Sequence, residues 1–257
     1  MTTIGIIGVG HLTQFMIEGW MSGESGKERP TLILSPRNAA RSAALASTFG
    51  LEVGASNQDV VDQSEIVVLA VRPPDMMACA DEISFRPDQT VISVAAGVLL
   101  SDLAAHVAPA QLIRALPVTS AGVCYSPTPL FPANPAAEDA LSKLGPVHVL
   151  DSEAAFDAAT VLGVYYGWVQ AFIERAAAAG EQAGLSPELA RAMAADMTAG
   201  SASLVKAQTD QSVAEMVAEI GSPGSYTGMG LDLLRERGAM SALDAALDAV
   251  LARLKTG

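Results

Sequence analysis

The sequence predicts an α/β protein in two parts: a doubly wound parallel sheet over residues 1–150 and an all-α domain over residues 151–257. Apolar runs of strand length alternate with helical patterns through the first part, a Gly-x-Gly turn follows the first strand, and beyond about residue 151 only helical periodicity remains. Alternating strands and helices imply parallel pairing, since each return of the chain needs a crossover. Strands that are apolar throughout suit a sheet covered on both faces.

Ile4, Ile6 and Ile7 form the first strand, which runs into Gly8-Val9-Gly10 and a helix from roughly Leu12 to Met21. Residues 31–34 read as a second strand, and 38–49 as a helix closed by Gly50. Residues 51–53 form a short strand, Asn57 caps a brief helix, and residues 65–71 form a buried fourth strand. A strand at 90–94, a helix near 101–106 and a strand at 112–115 continue the alternation. In the second part, Asp151 or Ser152 caps a long helix reaching Ala183, with Gly184 as its stop. Ser186-Pro187-Glu188 then supplies an N-cap, a proline at the first helical position and a first-turn acid. A short helix at 213–219 precedes a loop over residues 221–226, and helices near 228–236 and 241–254 close the chain. Long alanine-rich helices allow close contact with a second copy, so a homodimer or higher homo-oligomer is expected; a monomer with a compact helical cap is the alternative.

Composition removes several function classes. A formal net charge of −13 disfavours nucleic acid or an anionic membrane as partner, because both are bound through basic surface. No apolar run reaches the roughly 18 residues of a membrane span, and no basic region precedes the first apolar stretch. A soluble, unprocessed cytoplasmic protein is expected. Cys79 and Cys124 read as small apolar groups rather than a disulfide, and His11, His106 and His148 are scattered, so no metal site is expected.

The Gly8-Val9-Gly10 turn carries the chemistry of the first part. Glycines let the main chain approach a pyrophosphate closely, and the N–H groups and dipole of the next helix, at His11 and Leu12, favour its charge. Thr13 stands where such motifs carry a third small residue, which predicts a slightly wider gap between strand and helix. After the second strand, where an acid would bind the ribose of NAD, the chain has Ser35-Pro36-Arg37-Asn38 with Arg41 a turn later. A guanidinium and a hydroxyl suit a 2′-phosphate, so NADP(H) is the expected cofactor; a solvated helix face is the plainer reading of the arginines. The loop from Ile220 to Thr227 crowds the hydroxyls of Ser222, Ser225 and Thr227 around a Pro-Gly turn before a helix. It reads equally as a carboxylate cradle or as the N-cap of that helix.

These segments together resemble the pyrroline-5-carboxylate reductases over nearly the full length. The matching stretches are 4–10, Ser35-Pro36-Arg37, 68–73, 92–97, Gly184-Leu185-Ser186 with Ala190-Arg191, and Ser222-Pro223-Gly224 with Thr227. The resemblance implies an N-terminal Rossmann domain and a helical domain that dimerises. It implies a cofactor site of Gly8, Gly10, His11, Leu12, Ser35, Arg37 and Asn57, with Val71, Pro73, Ala96 and Gly97 around the nicotinamide. It further implies a substrate carboxylate held by Ser222, Gly224, Ser225, Tyr226 and Thr227, with Thr227 donating to the substrate nitrogen and Ser222 beside it. The implied reaction is reduction of a cyclic imine carboxylate, by default 1-pyrroline-5-carboxylate to L-proline. Such an imine takes its proton from solvent, so alignment of hydride donor and acceptor matters more than a strong protein acid.

Three stretches depart from the family pattern. Leu116-Pro117-Val118-Thr119-Ser120 replaces Met-Pro-Asn-Thr-Pro; Leu162-Gly163-Val164-Tyr165-Tyr166-Gly167-Trp168 replaces Ser-Gly-Ser-Gly-Pro-Ala-Tyr; and Ser225-Tyr226 stands in the signature loop. Loss of the proline predicts an unbroken helix there. The aromatics read either as core or interface residues or as a reshaped substrate pocket. Other readings are reduction of another small imine, an amino-acid dehydrogenase-like reaction, a deazaflavin-dependent NADP reductase, or a silent NADP-binding protein. The Ser-Pro-Gly loop counts against the deazaflavin enzymes, and retention of Ser222 and Thr227 against silence.

Overall fold

The computed structural model describes residues 2–23, 26 and 28–255. The elements are β1 (Thr3–Ile7), α1 (His11–Ser22), β2 (Thr31–Leu34), α2 (Ala39–Phe49), β3 (Glu52–Val53), α3 (Asn57–Asp62), β4 (Ile66–Leu69), α4 (Met76–Asp81), β5 (Thr90–Ser93), α5 (Leu100–Val107) and β6 (Gln111–Ala115). They continue with β7 (Thr128–Phe131), α6 (Pro135–Ser142), β8 (Val147–Val149), α7 (Glu153–Gln182), α8 (Pro187–Ala207), α9 (Val213–Ile220), α10 (Tyr226–Glu236) and α11 (Ala239–Lys255). The chain divides into two compact units, residues 1–163 and 164–256.

The N-terminal unit carries a single sheet in the order β3-β2-β1-β4-β5-β6-β7-β8. Its core shows why the strands read as continuous apolar runs. Ile66 and Val68 of β4 join Ile4, Ile6 and Leu34 in one buried cluster. Val67 and Leu69 join Ile7 and Ile33 in the other. Strand side chains alternate between faces, so a sheet with helices on both faces needs an apolar residue at every position. Each fully buried Ile or Leu contributes roughly 1.5–3 kcal/mol of burial free energy.

Neighbouring strands pair in parallel up to β6, but β6 and β7 are antiparallel, with Arg114 opposite Phe131 and Ala115 opposite Leu130. β8 then pairs in parallel with β7, so the sheet is the expected doubly wound parallel one with a single antiparallel pairing added at this edge. The chain between β6 and β7 forms only a 3-10 turn at Thr119–Val123 in place of the crossover helix that parallel pairing requires. The structure also adds α4, β7, α6 and β8 to the elements the sequence predicts. Ser56, not Asn57, caps α3, its side chain accepting the Asp59 N–H. Asn57 is the first helical residue instead.

From residue 153 on the chain is helical, α7 beginning in the N-terminal unit and ending in the C-terminal one. α7 runs unbroken through Tyr165, Tyr166 and Trp168, as expected from the missing proline. The Ser152 hydroxyl accepts the Ala155 N–H at its start. Gly184, with φ at +104°, turns the chain beyond its end. Ser186 caps α8 by accepting the Leu189 N–H at 3.2 Å, with Pro187 in the first turn. α10 begins at Tyr226, two residues earlier than the periodicity suggests.

Candidate active site

The strand order reverses direction at β1 and β4, which places a crevice at the carboxyl ends of these strands. The Gly8-Val9-Gly10 turn lies there. Gly8 has φ at +98°, and a Cβ on it would fall 2.8 Å from the Ala70 carbonyl, so no other residue fits. At Gly10 a Cβ would meet nothing within 4 Å, which leaves open space directly before α1. The first N–H groups of α1, at His11 and Leu12, have no carbonyl a turn earlier to bind. Open space beside unpaired donors at a helix N-terminus fits a diphosphate.

Three side chains hold this turn. Ser35 Oγ accepts the Gly8 N–H at 3.1 Å. Thr13 Oγ1 accepts the Gly10 N–H at 2.7 Å and lies 3.1 Å from the Gly8 carbonyl, to which it can donate. Asn38 Nδ2 donates to the Val9 carbonyl at 3.1 Å. Thr13 is buried with its hydroxyl turned into the loop, where it fastens the turn. Ser35 is fully buried and its hydroxyl accepts from Gly8, which supports the turn from behind. Asn38 is the residue that motif reasoning missed. Its only signal was an amide side chain at the end of β2, just before α2.

Arg37 is exposed at the end of β2. Burial pushes the Cys79 thiol above its ordinary pKa; the Arg37 guanidinium counters that rise, while Glu82 and Asp75 add to it. Asn57 Nδ2 lies 3.9 Å from Cys79 Sγ, so Arg37, Asn57 and Cys79 belong to one neighbourhood. Arg41 instead lines the groove between α1 and α2 with Gln14 and Glu18. Half-buried Val71 and exposed Pro73 follow β4, and exposed Ala96 and Gly97 follow β5 on the adjacent strand. Val118, beyond the end of β6, donates its N–H to Ser126 Oγ at 2.9 Å.

In the C-terminal unit, Ser212 and Glu215 form a capping box on α9. Hydrogen bonds from the Ser212 hydroxyl and backbone hold the Glu215 carboxyl below its ordinary pKa. The loop after α9 turns at Gly224, with φ at +83°. Ser225 Oγ accepts the Gly228 N–H at 2.9 Å, which makes Ser225 the N-cap of α10. Ser222, Gly224, Tyr226 and Thr227 are exposed, Tyr226 by 92 %. Thr227 also lines an apolar pocket of about 220 Å³ with Leu204, Met216, Ile220 and Leu231. Among the described residues no cluster of His, Cys, Asp and Glu is arranged to hold a metal ion. No helix of the structure is long and apolar enough to cross a membrane.

Residues 153–256 match the family model "Pyrroline-5-carboxylate reductase dimerisation", and residues 3–97 match "NADP oxidoreductase coenzyme F420-dependent". The 1-pyrroline-5-carboxylate reductase of Streptococcus pyogenes is similar in structure, with a TM-score of 0.85 at 29 % identity over 100 % of this chain and 99 % of that one. Plasmodium falciparum pyrroline carboxylate reductase, solved with NADP bound, shares the fold, with a TM-score of 0.84 at 23 % identity over 99 % and 97 % of the two chains. A pyrroline-5-carboxylate reductase of Glycine max is 31 % identical over 98 % of this chain and 94 % of its own length. With that identity spanning both units, the chain belongs to the pyrroline-5-carboxylate reductase family.

Proposed function

We propose that the protein reduces 1-pyrroline-5-carboxylate to L-proline with NADPH, transferring a hydride to the imine carbon. The observation that carries this reading is the pair of family features kept at both ends of the chain: the open Gly8–Gly10 turn before α1 and the Ser222–Thr227 loop before α10. The cofactor supplies the hydride. The α1 N-terminus and Gly10 hold its diphosphate, and Arg37 takes the 2′-phosphate through its guanidinium. Val71, Pro73, Ala96 and Gly97 bound the nicotinamide side. Backbone N–H groups and the Ser222 hydroxyl hold the substrate carboxylate, and Thr227 Oγ1 donates to the imine nitrogen. With the nitrogen held, the hydride acceptor carbon is aligned without a strong acid, which suits a site whose polar groups are hydroxyls.

The fully exposed phenol of Tyr226 on the substrate loop supports a second reading, in which the imine is larger than the five-membered ring. A homodimer or larger homo-oligomer is proposed from the match of residues 153–256 and from exposed Met193, Met197, Met229 and Leu233 on the helices of that region. The free thiols Cys79 and Cys124 agree with a cytoplasmic enzyme of proline synthesis. The test is NADPH oxidation, followed by absorbance, with 1-pyrroline-5-carboxylate, its six-membered homologue and bulkier cyclic imines. Turnover of the five-membered substrate is expected; tight NADPH binding without turnover of any imine refutes the enzyme reading.

A further inference from the structure

Glu153, the first residue of α7, joins α5 and β6 of the N-terminal unit through one carboxylate oxygen. Its Oε1 accepts the Leu100 N–H at 2.8 Å and an Arg114 Nη1 hydrogen at 2.6 Å. Leu100 opens α5, where a backbone N–H has no intrahelical partner, and it directly follows the loop that carries Ala96 and Gly97. Arg114 lies on β6, only 2 % exposed, and its Nη2 also donates to Asp157 at 3.0 Å, one turn along α7. The Phe156 ring lies 4.4 Å from the guanidinium carbon. Arg114 Nε is buried and makes no hydrogen bond. The guanidinium therefore depends on its two carboxylates, because an uncompensated buried charge is costly.

The loop that this carboxylate reaches is lightly held. Val98 is buried in the core, but Ala96 and Gly97 are exposed, and Gly97 at φ +76° has no heavy atom within 4 Å of where a Cβ would stand. Its far end is fastened by the charge-assisted hydrogen bond from Leu100 to Glu153. Arg114 in turn fixes the Glu153 rotamer against β6, the strand next to β5.

We propose that Glu153 is a positioning residue for cofactor binding: held by Arg114, it sets the Ala96–Gly97 loop in the shape that receives the nicotinamide end of NADPH. This rests on the cofactor reading given above. Stability alone does not require the arrangement, since buried ion pairs are often replaced by apolar groups without loss. The consequence is selective. The loop faces the nicotinamide end, while the adenosine end is served by Arg37 and Asn57 beyond β2, so disturbing Glu153 affects only part of the ligand.

Two variants and two ligands separate positioning from general stability. Glu153→Asp keeps the negative charge for Arg114 but withdraws the carboxylate from Leu100 by one methylene. Glu153→Gln keeps the reach and an amide oxygen to accept that N–H. Equilibrium binding of NADPH, read by nicotinamide fluorescence, is compared with binding of adenosine 2′,5′-bisphosphate, which lacks the nicotinamide. For Glu153→Asp the expected result is about tenfold weaker NADPH binding, the loss of one charge-assisted hydrogen bond, with bisphosphate affinity within about twofold of wild type. For Glu153→Gln both affinities stay within about threefold of wild type, less than one hydrogen bond is worth. Unchanged NADPH binding in Glu153→Asp overturns the proposal, as does an equal loss for both ligands or an equal NADPH loss in both variants. If the wild-type protein binds NADPH and Glu153→Asp binds it equally well, this proposal falls alone; if the wild-type protein does not bind NADPH, the cofactor reading falls with it.

Discussion

The Ser35 hydroxyl accepts the Gly8 N–H at 3.1 Å from a position with no solvent exposure. The contact joins the residue after β2 to the residue after β1, and so couples the shape of the phosphate turn to the pairing of these strands. In Ser35→Ala the Gly8 N–H loses its partner. The expected cost is about 1 kcal/mol of stability, the usual worth of one hydrogen bond. Urea denaturation read by circular dichroism measures it, and an unchanged midpoint shows that Ser35 does not support the turn.

Arg37 and Arg41 predict different outcomes although the sequence sets them one helical turn apart. Arg37 is exposed near Asn57 and Cys79, whereas Arg41 lines the groove with Gln14 and Glu18. Arg37→Ala is therefore expected to weaken NADPH by about tenfold or more, the worth of a charge-assisted contact to phosphate, and to leave NADH unaffected. Arg41→Ala leaves both unchanged. Calorimetric titration with the two cofactors checks this, and an equal loss for NADH removes Arg37 from the 2′-phosphate.

What the sequence made legible is local. The glycine turn, the Ser186-Pro187 start of α8 and the Gly184 stop are written within a few adjacent residues, and each is found in place. The Ser222–Thr227 loop was ambiguous because one hydroxyl can cap a helix and another can meet a ligand; the structure assigns the cap to Ser225 and leaves Ser222 and Thr227 exposed. The unread parts depend on distance. The bond from Gly8 to Ser35 spans 27 residues, and those from Arg114 to Glu153 and Asp157 span 39 and 43. β7 contains Pro129 and β8 carries His148 between Val147 and Val149, so neither offers the continuous apolar run that marks β2 and β4. An arginine within the apolar run Leu112-Ile113-Arg114-Ala115 was the one visible sign that a buried ion pair waited elsewhere.

Thr227 is exposed on the first turn of α10, at the rim of the apolar pocket shared with Ile220 and Leu231. As the proposed donor to the substrate nitrogen it would act on hydride transfer, not on the cofactor. Thr227→Ala is expected to lower kcat by about tenfold to a hundredfold, the range for a strong hydrogen bond to a nitrogen that gains a lone pair as the hydride arrives, with the Kd for NADPH unchanged. Thr227→Ser should recover much of the rate. Steady-state kinetics with a parallel NADPH titration decide it, and full turnover by the alanine variant excludes Thr227 from the reaction.

Glu215 gives the C-terminal unit an acid-sensitive element. Its Oε2 accepts the Ser212 hydroxyl at 2.6 Å and the Ser212 N–H at 2.8 Å, which lowers its pKa in the folded chain. A carboxylate with a depressed folded pKa stabilises fully above its unfolded value, about 4.3, and loses that contribution as pH falls through the lower folded value. Denaturation midpoints of wild type should therefore exceed those of Glu215→Ala near neutral pH and converge with them in acid. A gap that stays constant across this range excludes the carboxylate as its source.

Gly8 and Gly10 stand two residues apart and separate folding from function. An alanine Cβ at Gly8 meets the Ala70 carbonyl at 2.8 Å in a backbone conformation that L residues rarely adopt, so Gly8→Ala is expected to cost about 1–3 kcal/mol of stability or more. At Gly10 the backbone is extended, with φ −101°, and the Cβ has open space, so Gly10→Ala should fold with the wild-type melting temperature. That open space is where a diphosphate must approach the α1 N-terminus, and a methyl group there obstructs it. Gly10→Ala is thus expected to keep its circular dichroism melt and weaken NADPH by about a hundredfold, comparable to losing two or more charge-assisted hydrogen bonds. Normal binding by this variant places the diphosphate elsewhere, whereas a lowered melting temperature shows that Gly10 serves the turn itself.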